Sequence, residues 1–174
     1  SGSETLTTST YTLTISADVT LEVASGTTLT IAGAITKSGA IDGAGDVIFS
    51  SIAAYDATSD NSDIGSAIAS DRTLSKYNTT GTTKVIIASG EALTIDATKT
   101  LTIASGVILE ITSGRTLTIV GAITKNGNIT GAGNVTFNSI AAYDATSDNT
   151  AIGSTISTNR TISKYNTSGT TTIN

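Results

Sequence analysis

The sequence predicts an all-β protein, a parallel β-solenoid built from two tandem copies of about 88 residues. Three observations predict it. Short apolar–polar–apolar stretches recur at a fixed step. The chain aligns with itself at a long offset. Gly and Ser-Gly punctuate the stretches. An antiparallel β-sandwich of hairpin repeats is the competing architecture.

The step is plainest between Leu93 and Ile119. Leucine stands at 93, 101, 109 and 117, every eighth residue, and isoleucine follows at 95, 103, 111 and 119. Thr or Glu sits between each Leu and its Ile. Such alternation belongs to a strand with one buried face. The breaks are Asp96-Ala97, Ala104-Ser105-Gly106 and Thr112-Ser113-Gly114. None is the Asn-Gly or Asp-Gly pair that two-residue hairpins favour, and equal short strands suit equal sides of a stacked coil.

The offset is 88 residues. Ser25–Thr83 aligns without gaps on Ser113–Thr171, with 43 of 59 positions identical. The stretch SIAAYDATSDN occurs at 51–61 and again at 139–149. The copies divide as 1–88 and 89–174, one continuous stack. Matched residues such as Tyr55 and Tyr143, or Tyr77 and Tyr165, would then form ladders along the axis. Asp42 and Asp46 are replaced by Thr130 and Asn134, which would break ladders of like charge.

Strands are expected in copy one at 12–15, 19–23, 27–31, 34–36, 47–49, 51–55, 72–77 and 82–88, and again at +88. Gly43-Ala44-Gly45 reads as a tight corner. The segment 57–71 breaks the step and reads as a side loop with one helical turn, Ile64 and Ile68 sharing its face.

Composition narrows the function. Net charge is −5 and the nine basic residues are scattered singly, which argues against nucleic acid as a partner. No run of about 18 apolar residues exists, so no membrane span is expected. His and Cys are absent, which removes most nucleophile–base pairs and transition-metal sites. No basic, apolar leader opens the sequence; a secreted chain whose signal has been removed would read this way, and so would a cytoplasmic one, with the Thr/Ser-rich, Met-free composition favouring the former.

Carboxylates are the remaining candidates. Asp56, Asp60, Asn61 and Asp63 could supply oxygen ligands to a weak Ca²⁺ loop, against an Asx-capped turn as the plainer reading. No other cofactor is expected. Asp42 and Asp46 form a carboxylate pair of the kind found in polysaccharide-cleaving enzymes, present in copy one alone. Glycan acceptor sequons begin at Asn78, Asn128, Asn134, Asn159 and Asn166. Thr-x-Thr rows at 28–30, 100–102 and 116–118 suggest an ice-binding face, interrupted by Glu22 and Glu110.

The two ends of the chain read as halves of one junction. Thr170, Thr171, Thr172, Ile173 and Asn174 match the segment of copy one that runs on into Ser89-Gly90, and the chain opens with Ser1-Gly2. Two readings fit: molecules stack head to tail as copy one stacks on copy two, or the sequence is an excerpt from a longer tandem array. A head-to-tail contact that does not close makes a filament, and on the first reading the expected partner is a second copy of the chain.

The pattern TLTI, VTLEV, ASG, TTLTI resembles the repetitive parallel β-helices of secreted bacterial and archaeal surface proteins, among them adhesins, fibre subunits and sheath or surface-layer proteins. The resemblance covers the ladder regions, about half the chain. It implies an extracellular scaffold without catalysis. The expected function is a structural subunit of a filament, sheath or surface layer, not an enzyme. The alternative is an adhesin or carbohydrate-binding module using the loops at 56–71 and 144–159. A polysaccharide-acting enzyme comes third.

Overall fold

A computed structural model describes residues 5–7, 11–58, 64–147 and 151–174. The chain winds as a coil with three sides. The first coil carries β1 (Thr5–Thr7), β2 (Thr12–Ile15) and β3 (Thr20–Glu22), the second β4 (Thr28–Ile31), β5 (Ala34–Lys37) and β6 (Ala40–Asp42). The third holds β7 (Asp46–Phe49), helix α1 (Ile52–Asp56), β8 (Ala67–Ile68) and β9 (Arg72–Leu74). The fourth holds β10 (Thr83–Ile87), β11 (Leu93–Ile95) and β12 (Thr100–Ile103), the fifth β13 (Val107–Ile111), β14 (Thr116–Ile119) and β15 (Ala122–Lys125). The sixth holds β16 (Asn128–Thr130), β17 (Asn134–Phe137) and helix α2 (Ile140–Asp144), and β18 (Thr171–Ile173) follows.

Strands pair with the third neighbour in sequence. Face one runs β1-β4-β7-β10-β13-β16. The second strands of each coil form β2-β5 and then β8-β11-β14-β17, with β18 added on β17. The third strands form β3-β6 and β9-β12-β15. Every pairing is parallel, which makes the protein a parallel β-solenoid of about six coils and excludes the antiparallel sandwich.

The eight-residue ladder explains the geometry. Three strands of that step close one coil, so Leu93 lies on Leu117 and Ile95 on Ile119. Alternation sends these side chains inward, where Leu93, Leu101, Leu109 and Leu117 are all buried, while the intervening Thr94, Thr102, Glu110 and Thr118 stay half-exposed. Parallel stacking then forms inward columns such as Ile31–Phe49–Val85–Leu109–Ile129. Burial of these apolar columns is the main force holding the coils together.

Several expectations are corrected. Residues 51–55 do not form a strand. Ser51 caps α1, its hydroxyl accepting the Ala54 amide at 2.9 Å, and Ala53 and Ala54 favour the helix. Ile64 and Ile68 share no helical face: Ile68 lies in β8, and the Ile64 amide donates to Asp56. Ala40–Asp42 and Asn128–Thr130, which are not among the expected strands, form β6 and β16.

The axial ladders of matched residues do not form either. Ten strands separate β1 from β11, and three make a coil. Segments 88 residues apart therefore sit on different faces: β4 is on face one, while its counterpart β14 pairs with β11 and β17. Tyr55 and Tyr77 pack edge-on against Phe49, at 5.1 and 5.0 Å between ring centres, and Tyr143 and Tyr165 do the same to Phe137. Asp42 and Thr130 likewise occupy different sheets, so their exchange breaks no ladder. The Thr-x-Thr rows at 28–30, 100–102 and 116–118 lie on three different faces and make no common flat row.

Candidate functional site

Among the described residues, the sequence-predicted carboxylates Asp56, Asp42 and Asp46 bind the chain itself. Both oxygens of Asp56 accept backbone amides, from Ile64 and Gly65, each at 2.7 Å. Asp144 does the same for Ile152 at 2.6 Å and Gly153 at 2.8 Å. Each aspartate closes the loop that follows its helix. Asp60, Asn61 and Asp63 lie outside the described residues. Among the described residues, no three His, Cys, Asp or Glu side chains come together where they could hold a metal.

Asp42 and Asp46 clamp a neighbouring corner. Asp42 Oδ1 accepts from the Gly43 amide at 2.6 Å and from the Thr79 hydroxyl, and Asp46 Oδ1 accepts from the Thr82 hydroxyl at 2.5 Å. The carboxyl of half-buried Asp42 is held below its ordinary range, chiefly by the Thr79 hydroxyl and then by the Gly43 amide. The matching corner is clamped without acids: Asn134 Oδ1 accepts the Thr170 amide, and the Gly131 amide donates to the Thr167 hydroxyl, both at 3.2 Å. The clamp therefore works with neutral groups.

The sequon asparagines divide. Asn78 and Asn166 are buried, and their Nδ2 groups donate to the carbonyls of Gly45 and Gly133. A glycan on either would require that bond to break. Asn128 and Asn159 are exposed, and Asn134 is half-buried in the clamp.

The open ends of the coil stack carry the distinctive surface. At the first end, among the described residues, β1 pairs only with β4, β2 only with β5 and β3 only with β6. At the other, again among the described residues, β18 pairs only with β17. Ile68 in β8 is 1% exposed, but Ile156, in the same sequence context, is 63% exposed. Val107 in β13 is 0% exposed, but its counterpart Val19 is 49% exposed. Leu74 is buried beneath β12, while Ile162 is open; Ile52 is buried, while Ile140 is open. At the first end, Leu13 and Leu21 are half-buried where Leu101 and Leu109 are fully covered.

The cause is packing. In the middle of the stack, β8, β9 and β10 are covered by β11, β12 and β13. The segments 155–156 and 160–162 have no such cover and no strand conformation. The assembly ends expected from the sequence lie at both termini. Ser1 and Gly2 lie outside the described residues, whereas Thr171, Thr172 and Ile173 form the edge strand β18, and the Asn174 amide continues its ladder to Phe137. Ile156, Ile162 and Val19 were not singled out as end residues, although their match to buried positions 88 residues away was readable. Comparison with known protein families, curated proteins and solved structures gave no match to this chain.

Proposed function

We propose that this chain is a structural subunit of an extracellular filament, sheath or surface layer, polymerising head to tail through its open β edges. One observation carries this reading: the apolar residues exposed at the two ends match residues that bury one another in the middle of the stack. Exposed parallel edges with apolar side chains favour association with more strands, and here the two ends are complementary halves. The outward positions between the ladder Leu and Ile residues are Thr and Glu, which suits a scaffold. The extracellular setting rests on the resemblance to secreted surface β-helices.

Negative-stain microscopy and analytical ultracentrifugation of the purified chain test the proposal. Unbranched filaments that grow with concentration are expected. A monodisperse monomer at high concentration would overturn it.

A further inference from the structure

Resting on the head-to-tail reading, we infer that the joint has one specific register and that each added chain turns by a third of a revolution about the axis. The middle of the stack supplies the template. There, β10 pairs with β13 as Thr83 on Val107, Lys84 on Ile108 and Val85 on Leu109. On the adjoining side, β9 pairs with β12 as Arg72 on Leu101, Thr73 on Thr102 and Leu74 on Ile103.

Transposing by the 88-residue offset names the contact between chains. Strand β18 of one chain lies along β3 of the next: Thr171 on Val19, Thr172 on Thr20, Ile173 on Leu21. The uncovered segment 160–162 becomes a strand along β2: Arg160 on Leu13, Thr161 on Thr14, Ile162 on Ile15. The half-buried or exposed apolar groups Val19, Leu21, Ile162 and Ile173 are thereby covered, as Val107, Leu109, Leu74 and Val85 are covered within the chain.

The rotation follows from strand count. Ten strand positions per 88 residues and three per coil leave one strand over, which is why β1 lies on face one and β11 beside β8 on the next face. A chain carries two such offsets, so the β1 strands of successive chains fall on faces one, three and two before returning to face one. Two-thirds of a turn in the winding sense equals one-third in the other. With neighbouring strands about 4.8 Å apart, each chain advances the filament by roughly 32 Å and the pattern repeats after roughly 96 Å.

Lys84 and Glu110 add chemical detail. Their ion pair, 2.8 Å long, bridges β10 and β13. At the transposed joint Glu22 stands in for Glu110, while Thr172 stands in for Lys84, so the joint between chains lacks this pair. Thr172→Lys would supply it.

The chain has no cysteine, so two can be introduced cleanly. Thr20 and Thr172 are both exposed, and in the inferred register they are directly opposed. Directly opposed strand residues meet disulfide distance limits, whereas a pair two residues out of step, about 8 Å apart, does not. Oxidation of the Thr20→Cys/Thr172→Cys chain should give a ladder of covalent multimers on a reducing-sensitive gel; Glu22→Cys/Thr172→Cys should give none. Image reconstruction of the unmodified filament should show the third-turn rotation and the rise above, and Thr172→Lys should lower the concentration needed for growth several-fold. Filaments with another rotation, or with cross-linking confined to the shifted pair or absent from both, overturn the register and leave head-to-tail assembly standing. A chain that stays monomeric overturns both.

Discussion

The carboxylate of Glu91 accepts the amide hydrogen of Ile52, 39 positions earlier in the chain, at 3.0 Å. It also accepts the amide of Ala53 at 3.0 Å and that of Ala88 at 2.8 Å. A negative group at the start of α1 thus satisfies amides that the short helix leaves open, and it ties the third coil to the fourth. Glu91→Ala is expected to lower the unfolding free energy by about 2 kcal/mol. Glu91→Gln, which keeps one acceptor oxygen, should cost about half as much. Urea unfolding followed by circular dichroism measures both; equal stability of all three chains would refute the cap.

Thr98 holds a left-handed backbone with φ 64°, which its branched side chain resists, while Gly114 turns a comparable corner at φ 76°. Thr98→Gly should therefore raise stability by about 0.5–1 kcal/mol, the steric relief exceeding the entropy cost of glycine. Gly114→Ala should lower it by about 1 kcal/mol although no atom lies within 4 Å of the new Cβ, because the backbone angle alone opposes it. Thermal unfolding would register the pair as shifts of opposite sign.

Gly81 passes so close to the preceding coil that a Cβ there would stand 1.8 Å from the Gly45 carbonyl oxygen. The same carbonyl accepts the Asn78 Nδ2 group. Gly81→Ala is expected to cost about 3 kcal/mol by forcing the two coils apart. Asn78→Ala should cost about 2 kcal/mol by leaving the buried carbonyl unpaired. Since both act on one contact, the double variant should cost less than the sum, which a double-mutant cycle would measure.

Asp42 gives the fold a pH dependence of known sign. Its folded-state pKa lies below the ordinary 3.8, through the Thr79 hydroxyl first and the Gly43 amide second. The unfolded chain therefore takes up this proton before the folded chain does. The stabilising contribution is complete above the unfolded value and disappears as pH falls through the folded one. Asp42→Thr, which installs the residue found at position 130, should be less stable than the parent at pH 6, with the gap closing below about pH 4. A gap that stays constant from pH 6 to pH 3 would show that Asp42 contributes through shape alone.

Most strand positions were legible because alternation is local. Thr12–Ile15 and Val47–Phe49 declare themselves by side chains that must choose between core and water. Helix α1 is legible in part: Ser51 before Ile-Ala-Ala is an N-cap signal, but five residues are too few to show a helical period among so many strands. Its second support, Glu91, was not legible, since nothing in residues 51–56 specifies a carboxylate from the following coil. The Asp56 loop clasp was hidden for a similar reason. An Asp beside further Asp and Asn residues reads equally well as a cation ligand or a loop clasp, and only the folded chain shows the Ile64 and Gly65 amides on the two oxygens of Asp56.

By itself, the sequence determined which residues point inward, where most strands begin and end, and that one pattern of 88 residues is written twice. Tertiary structure decided the rest. Alternation states that a strand has a buried face but not which strand lies beside it, so parallel rather than antiparallel pairing emerged only when Leu93 was found on Leu117. The one-third turn between matching segments is a remainder, ten strands wound three to a coil, and it exists only once the coil has closed. Position in the stack then gives matching sequence different surroundings: Ile68 lies under β11, while no strand among the described residues covers Ile156, which faces water.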